Sequence, residues 1–203
     1  MLSAWDPLIV SSLPGDRGVT RAYFPSLYPL KRQPWVARHG GASMGIRRLN
    51  HAVLYVRDVG KSVAFYRDVL GFEVVHERPN AAFLRAAESD NDHDLGLFAV
   101  RGNAPRNTGT TVGLYHLAWS VNTLPELAAF ADRLTAAGAL VGSSDHAVSK
   151  SLYGKDPDGL EFEISWFVPR DRVTPEMTAS PMIGRLDISA EIERWGADLV
   201  GAP

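Results

Sequence analysis

Two histidines and a pair of strand glutamates are the residues of this chain best suited to chemistry. His51 and His116 lie 65 positions apart, as do Phe65 and Phe130, and Gly71 and Gly138 lie 67 apart. A near-constant offset of this kind marks a duplication. Glu161 and Glu163 follow the tight-turn sequence Asp156-Pro157-Asp158-Gly159, in which Pro and Gly occupy compatible turn positions. Two imidazoles and one carboxylate make the facial triad that holds Fe(II) and keeps other coordination positions open for substrate and dioxygen. The chain contains no cysteine, which excludes disulfides, thiolate ligands and a cysteine nucleophile. Any metal is therefore held by nitrogen and oxygen.

The elements that must position these residues recur with the same offset. Residues 49–56 form a β-rich run in which alternation puts His51, Val53 and Tyr55 on one face. A helical stretch over 59–70 follows, with Val63, Phe65, Tyr66, Val69 and Leu70 at helical spacing and Gly71 just past its end. Short strands are expected over 72–76, 81–87 and 94–100, which completes a βαβββ order. The second copy starts with a strand over 113–121 that places His116, Ala118 and Ser120 on one face. Thr123-Leu124-Pro125-Glu126 is a capping box opening a helix that Gly138 ends. Strands are expected over 140–142, 146–153 and 160–167, with Leu160, Phe162, Ile164 and Trp166 on one face and Glu161, Glu163 and Ser165 on the other. Each copy is too small to bury a sheet face alone, so the expected fold is α+β: two paired βαβββ modules forming a curved mixed sheet around a metal-binding cavity.

Flanking segments lack this pattern. Residues 1–45 are rich in Pro, Gly and Arg and read as an N-terminal extension, with Trp5, Tyr23, Phe24, Tyr28 and Trp35 available for docking; the alternative is a start at Met44. The paired domain spans 46–168, with module one at 46–101 and module two at 113–168. A tail over 169–203 is loop-like to Leu186, then carries a short amphipathic helix over 189–199, with Ile192, Trp195 and Leu199 on one side.

Whole-chain properties exclude several classes of partner. With 203 residues, 45% hydrophobic and 22% charged, the chain can build a real core. A net charge of −2 gives no reason to expect nucleic acid or an anionic membrane. No apolar run reaches bilayer length, and residues 1–13 lack the basic start of a signal peptide. The absence of cysteine fits a cytoplasmic location.

On the segments Leu49-Asn50-His51-Ala52-Val53, Phe65-Tyr66-Arg67-Asp68-Val69-Leu70-Gly71-Phe72, Tyr115-His116-Leu117-Ala118 and Asp156-Pro157-Asp158-Gly159-Leu160-Glu161-Phe162-Glu163, the sequence resembles the vicinal oxygen chelate superfamily. That superfamily includes glyoxalase I, bleomycin resistance proteins and extradiol dioxygenases. The resemblance covers about residues 46 to 167 and selects Glu163, four residues after the turn glycine, as the ligand beside His51 and His116. Subtracting the repeat offset from Glu163 leads to Gly96, Leu97 or Phe98, where glyoxalase I enzymes supply a fourth ligand. None of the three can coordinate, and Asp94 is the nearest carboxylate. Three protein ligands suit the extradiol branch, closest to catechol 2,3-dioxygenase-like enzymes.

The resemblance also implies roles for three more residues. His93 opens a strand similar to the one that carries a catalytic histidine in extradiol enzymes. Tyr153 precedes Glu163 by ten residues, the family's spacing for an active-site tyrosine, and His146 lies in its lead-in. His39 and His76 are assigned no chemistry. The implied function is ring cleavage of a catechol-like diol with dioxygen, using Fe(II) or Mn(II), by a homodimer. The implied alternatives are a glyoxalase-type isomerase or lyase using Ni(II) or Zn(II), and a drug-binding protein without chemistry. This chain departs from the larger extradiol enzymes in having one pair of modules, a longer run from His93 to His116, and His146 nearer Tyr153.

Overall fold

The computed structural model describes residues 45–110, 112–179 and 183–202, so the expected N-terminal extension lies outside them apart from Gly45. The described residues fall into two compact units, 45–105 and 106–202.

The first unit is built from β1 (Ala52–Val56), α1 (Val59–Asp68), β2 (Glu73–Arg78), β3 (Ala81–Arg85) and β4 (Leu95–Ala99). Its four strands run in the order β1-β4-β3-β2, with β1 parallel to β4 and the other pairs antiparallel. Asp58 caps α1 by accepting from the Lys61 amide, and the helix buries Val59, Val63 and Tyr66. Leu54, Val56, Leu84, Leu95 and Leu97 are buried in the same core, while Val53 and Tyr55 on the alternate positions of β1 are exposed. The period-two pattern thus separates a core face from the face that follows His51 in register.

The second unit repeats this plan with β5 (His116–Ser120), α2 (Leu124–Ala136), β6 (Leu140–Asp145), β7 (Ser149–Lys155) and β8 (Glu161–Phe167). The strand order is β5-β8-β7-β6, again with a parallel first pair. Thr123 and Glu126 close the capping box on α2, and Leu124, Leu127 and Leu134 are buried. At the DPDG turn the Asp156 carboxylate accepts from the amides of Asp158 and Leu160, both at 2.9 Å, and Gly159 takes a φ of 85° that favours glycine. Across β7 and β8, a Cβ at Gly154 would come within 2.3 Å of the Phe162 ring, so this strand position has no room for a side chain.

The equivalence of the modules extends to register. Val53 pairs with Gly96 in the first sheet, and Ala118 pairs with Glu163 in the second. Gly96 is therefore the counterpart of Glu163, which resolves the three sequence candidates to one.

Several strand bounds shift by a few residues, β1 starting at Ala52 so that His51 directly precedes it, and three differences go further. The strand expected over 146–153 begins at Ser149, because β6 continues to Asp145 and His146 lies in the intervening turn. The tail is not loop-like up to Leu186: a 3₁₀ turn (Arg170–Arg172) and the short helix α3 (Pro175–Ala179) precede it. The last helix, α4 (Ile188–Trp195), ends before Leu199, with Asp187 as its cap, and packs on α2.

Candidate metal centre

His116 is the first residue of β5, and Glu163 stands in the middle of the neighbouring β8. Parallel pairing brings the Nε2 of His116 to 3.2 Å from the Oε2 of Glu163. The other Glu163 oxygen accepts a hydrogen bond of 2.6 Å from the Ser165 hydroxyl, and Ser165 in turn shares one of 2.9 Å with Ser151. Both serines are fully buried. A seryl chain rooted in the sheet therefore fixes the carboxylate and leaves one oxygen facing the imidazole.

The antiparallel partner of Glu163 is Tyr153 on β7, whose ring centroid lies 6.4 Å from that of His116. The Tyr153 hydroxyl and the Nε2 of His146 share a hydrogen bond of 2.8 Å. Burial pushes the Tyr153 phenol well above its ordinary range, and the Glu163 carboxylate adds to the shift. Burial also holds His146 below the usual histidine value, against the opposing pull of Glu163 and Asp145. Tyr115, next to His116, is pushed up to about 12, first by burial and then by Glu161. The second unit thus gathers His116, Glu163, Tyr153 and His146, while Glu161 lies toward Tyr115.

The first unit prepares His51 in a comparable way. Its Nδ1 lies 2.8 Å from the Oδ1 of Asn50. An amide oxygen only accepts, so Nδ1 carries the proton and Nε2 keeps a free lone pair for a metal. His93 lies tilted beside His51, with ring centroids 4.6 Å apart, and makes an edge contact with Phe83 at 4.9 Å. Its Nδ1 lies 2.8 Å from Asp92. The buried Asn91 ties the two histidine segments together, donating to the Asn50 carbonyl at 2.9 Å and to Asp94 at 2.6 Å. Asp94 also accepts from the Ala86 amide and the Ser89 hydroxyl. It is thus a loop-ordering group, with both oxygens engaged, rather than a stand-in ligand.

The donors of the second unit fit a divalent cation. Two donors at about 2.1 Å from one ion, at right angles, lie about 3 Å apart, close to the His116–Glu163 separation. Among the described residues, no group of three or more His, Asp or Glu is gathered at metal-binding distances, and His51 belongs to the other unit. The supporting residues Asn50, Asn91, Ser151 and Ser165 were not singled out by type. Only Ser165 had a signal, since it shares the period-two face of Glu163.

Residues 48–164 match the profile of the Glyoxalase/Bleomycin resistance protein/Dioxygenase superfamily. The chain is 36% identical over 158 residues to biphenyl-2,3-diol 1,2-dioxygenase 3 of Rhodococcus globerulus, a match covering 76% of this chain and 75% of that protein. It is 34% identical over 125 residues to catechol-2,3-dioxygenase of Bacillus subtilis, covering 60% of this chain but only 42% of that protein. A glyoxalase/bleomycin resistance protein/dioxygenase domain from Frankia has the same fold, with a TM-score of 0.52 at 22% identity over 60% of this chain and 98% of its own. The chain belongs to the Glyoxalase/Bleomycin resistance protein/Dioxygenase superfamily.

Proposed function

We propose that the chain is a metal-dependent extradiol dioxygenase that cleaves a catechol-like aromatic diol. The observation that carries the reading is the His116–Glu163 pair at 3.2 Å, with its carboxylate fixed by Ser165 and Tyr153 alongside. Relatives named as dioxygenases at 34–36% identity support the same branch.

In this reading His51, with Nε2 available, joins His116 and Glu163 as the third ligand. When bound there, Fe(II) or Mn(II) supplies a Lewis-acidic centre with open positions for a diol and for dioxygen. The absence of a ligating side chain at Gly96 keeps the protein ligands at three. Tyr153, held protonated by its raised pKa, orients a substrate oxygen as a hydrogen-bond donor. His146, held neutral at ordinary pH, receives or relays a proton through the Tyr153 hydroxyl. His93, packed between His51 and Phe83, serves as the second acid/base. The reading extends to a homodimer in the cytoplasm, by analogy with paired modules of the superfamily and from the cysteine-free composition.

The test is anaerobic purification and reconstitution with Fe(II) or Mn(II), then oxygen uptake with a panel of catechols and 2,3-dihydroxybiphenyls. Uptake with formation of yellow ring-cleavage product supports the reading. Turnover of hemithioacetals without oxygen uptake would replace it with the isomerase. Diol binding with neither metal nor turnover would replace it with a binding protein.

A further inference from the structure

Lys150 is a fully buried cation on β7, and nothing in the proposed chemistry uses it. Its ammonium has three donors and meets three acceptors: the Asp145 carboxylate, the Ala147 carbonyl at 3.2 Å, and the Glu191 carboxylate of α4 at 3.2 Å. Asp145 and Ala147 are the two residues that flank His146. Lys150 therefore grips the β6–β7 turn on both sides of the histidine that bonds Tyr153.

That turn requires a grip. Ala147 has a φ of 63°, the single positive value at a non-glycine position among the described residues. A β-carbon disfavours this region, so the conformation persists only where the surroundings enforce it. Enforcement comes from the Ala147 amide donating to Asp145 at 2.8 Å, from its carbonyl accepting from Lys150, and from the two-way backbone bridge between Asp145 and Gly184. Glu191 is held in turn by the Trp195 indole at 2.7 Å and faces Arg194 at 3.7 Å. The indole of Trp195 also packs 6.0 Å from that of Trp166.

We infer that Lys150, fixed by Glu191 of the C-terminal helix, is a positioning residue that holds the Asp145–Ala147 turn and so sets the His146–Tyr153 pair for substrate. The inference rests on the dioxygenase reading for its kinetic arm. Without the ammonium, the Ala147 carbonyl loses its donor and the residue relaxes toward negative φ. His146 then swings off Tyr153, while the seryl support of Glu163 stays in place.

The experiment compares Lys150→Met, Glu191→Gln and the double variant Lys150→Met/Ala147→Gly with wild type, all as full chains loaded with metal. Expected for Lys150→Met is a fall in kcat of about 10- to 100-fold with KM and metal content unchanged, because a displaced catalytic pair slows turnover without removing the ligands. Glu191→Gln, which keeps the lysine, gives a smaller fall of the same kind. Amide hydrogen exchange should lose protection at 146–148 and retain it in β8. Glycine at 147 adopts positive φ freely, so the double variant should regain both kcat and protection. Unchanged kcat and protection in both single variants overturn the inference. So does uniform loss of protection across β7 and β8 without rescue, which makes Lys150 a core support only. If Lys150→Met does not fold, Glu191→Gln decides between these outcomes. If wild type is inactive with every diol, the dioxygenase reading fails alone, and exchange with glycine rescue still decides the clamp.

Discussion

At the scale of single residues, the groups behind the proposed ligands would set how well a metal is held. Ser165→Ala removes the hydrogen bond that orients Glu163, and Asn50→Ala removes the one that fixes the His51 tautomer. Each is expected to weaken Fe(II) or Mn(II) affinity by about 10- to 100-fold, measured by competition with a chelator. Protons follow the same environment. His146 has a folded pKa below its unfolded value, so the unfolded chain binds more protons between the two. Stability from this group is complete above the ordinary histidine range, near pH 6.5, and is lost as pH falls through the depressed folded value. The proposed ring-cleavage activity should carry an acid limb below that range, and a His146→Phe variant should flatten it. The types of His51, His116 and Glu163 were legible in the sequence because a repeat and a turn frame them. Asn91 was not, since a polar run such as Ser89 to Asp92 says nothing about which amide will be buried.

At the scale of elements, both modules show how local chemistry starts and stops the chain. The Thr123–Glu126 capping box was written in the sequence and forms as read. Thr123→Ala should destabilise the protein by about 1 kcal/mol in denaturant unfolding. Gly154 is a different case. Its neighbour Phe162 reaches across the strand pair, so Gly154→Ala should destabilise by about 1–3 kcal/mol through overpacking, read by the same measurement. No turn or periodicity flags that glycine, because the clash belongs to a partner strand eight residues away in sequence. The extension of β6 to Asp145 was also hidden. Gly142, Ser143 and Ser144 are poor strand formers taken one by one, and pairing with Tyr153, Leu152 and Ser151 of β7 overrides their preference.

At the scale of the whole molecule, the proposed sharing of one metal by residues of both modules would couple their stabilities. If His51, His116 and Glu163 share one ion, free Fe(II) or Mn(II) at about 100 times its Kd should stabilise the chain by about 2.7 kcal/mol, seen as a metal-dependent rise in Tm. Both His51→Ala and Glu163→Gln should abolish that rise, with one metal per chain lost on elemental analysis. A rise that survives His51→Ala would confine the ion to the second module. What the sequence by itself determined is the twofold βαβββ plan, the strand faces and the chemical types at the matched positions, because periodicity, caps and turns are short-range properties. Tertiary structure decided which polar groups those types would meet. It set Glu163 against His116 and Tyr153 through strand register, engaged Asp94 in a loop, and buried Lys150 between a strained turn and α4. The physical reason is that a buried polar group must find partners wherever the fold delivers them, and those partners lie too far along the chain for any local pattern to record.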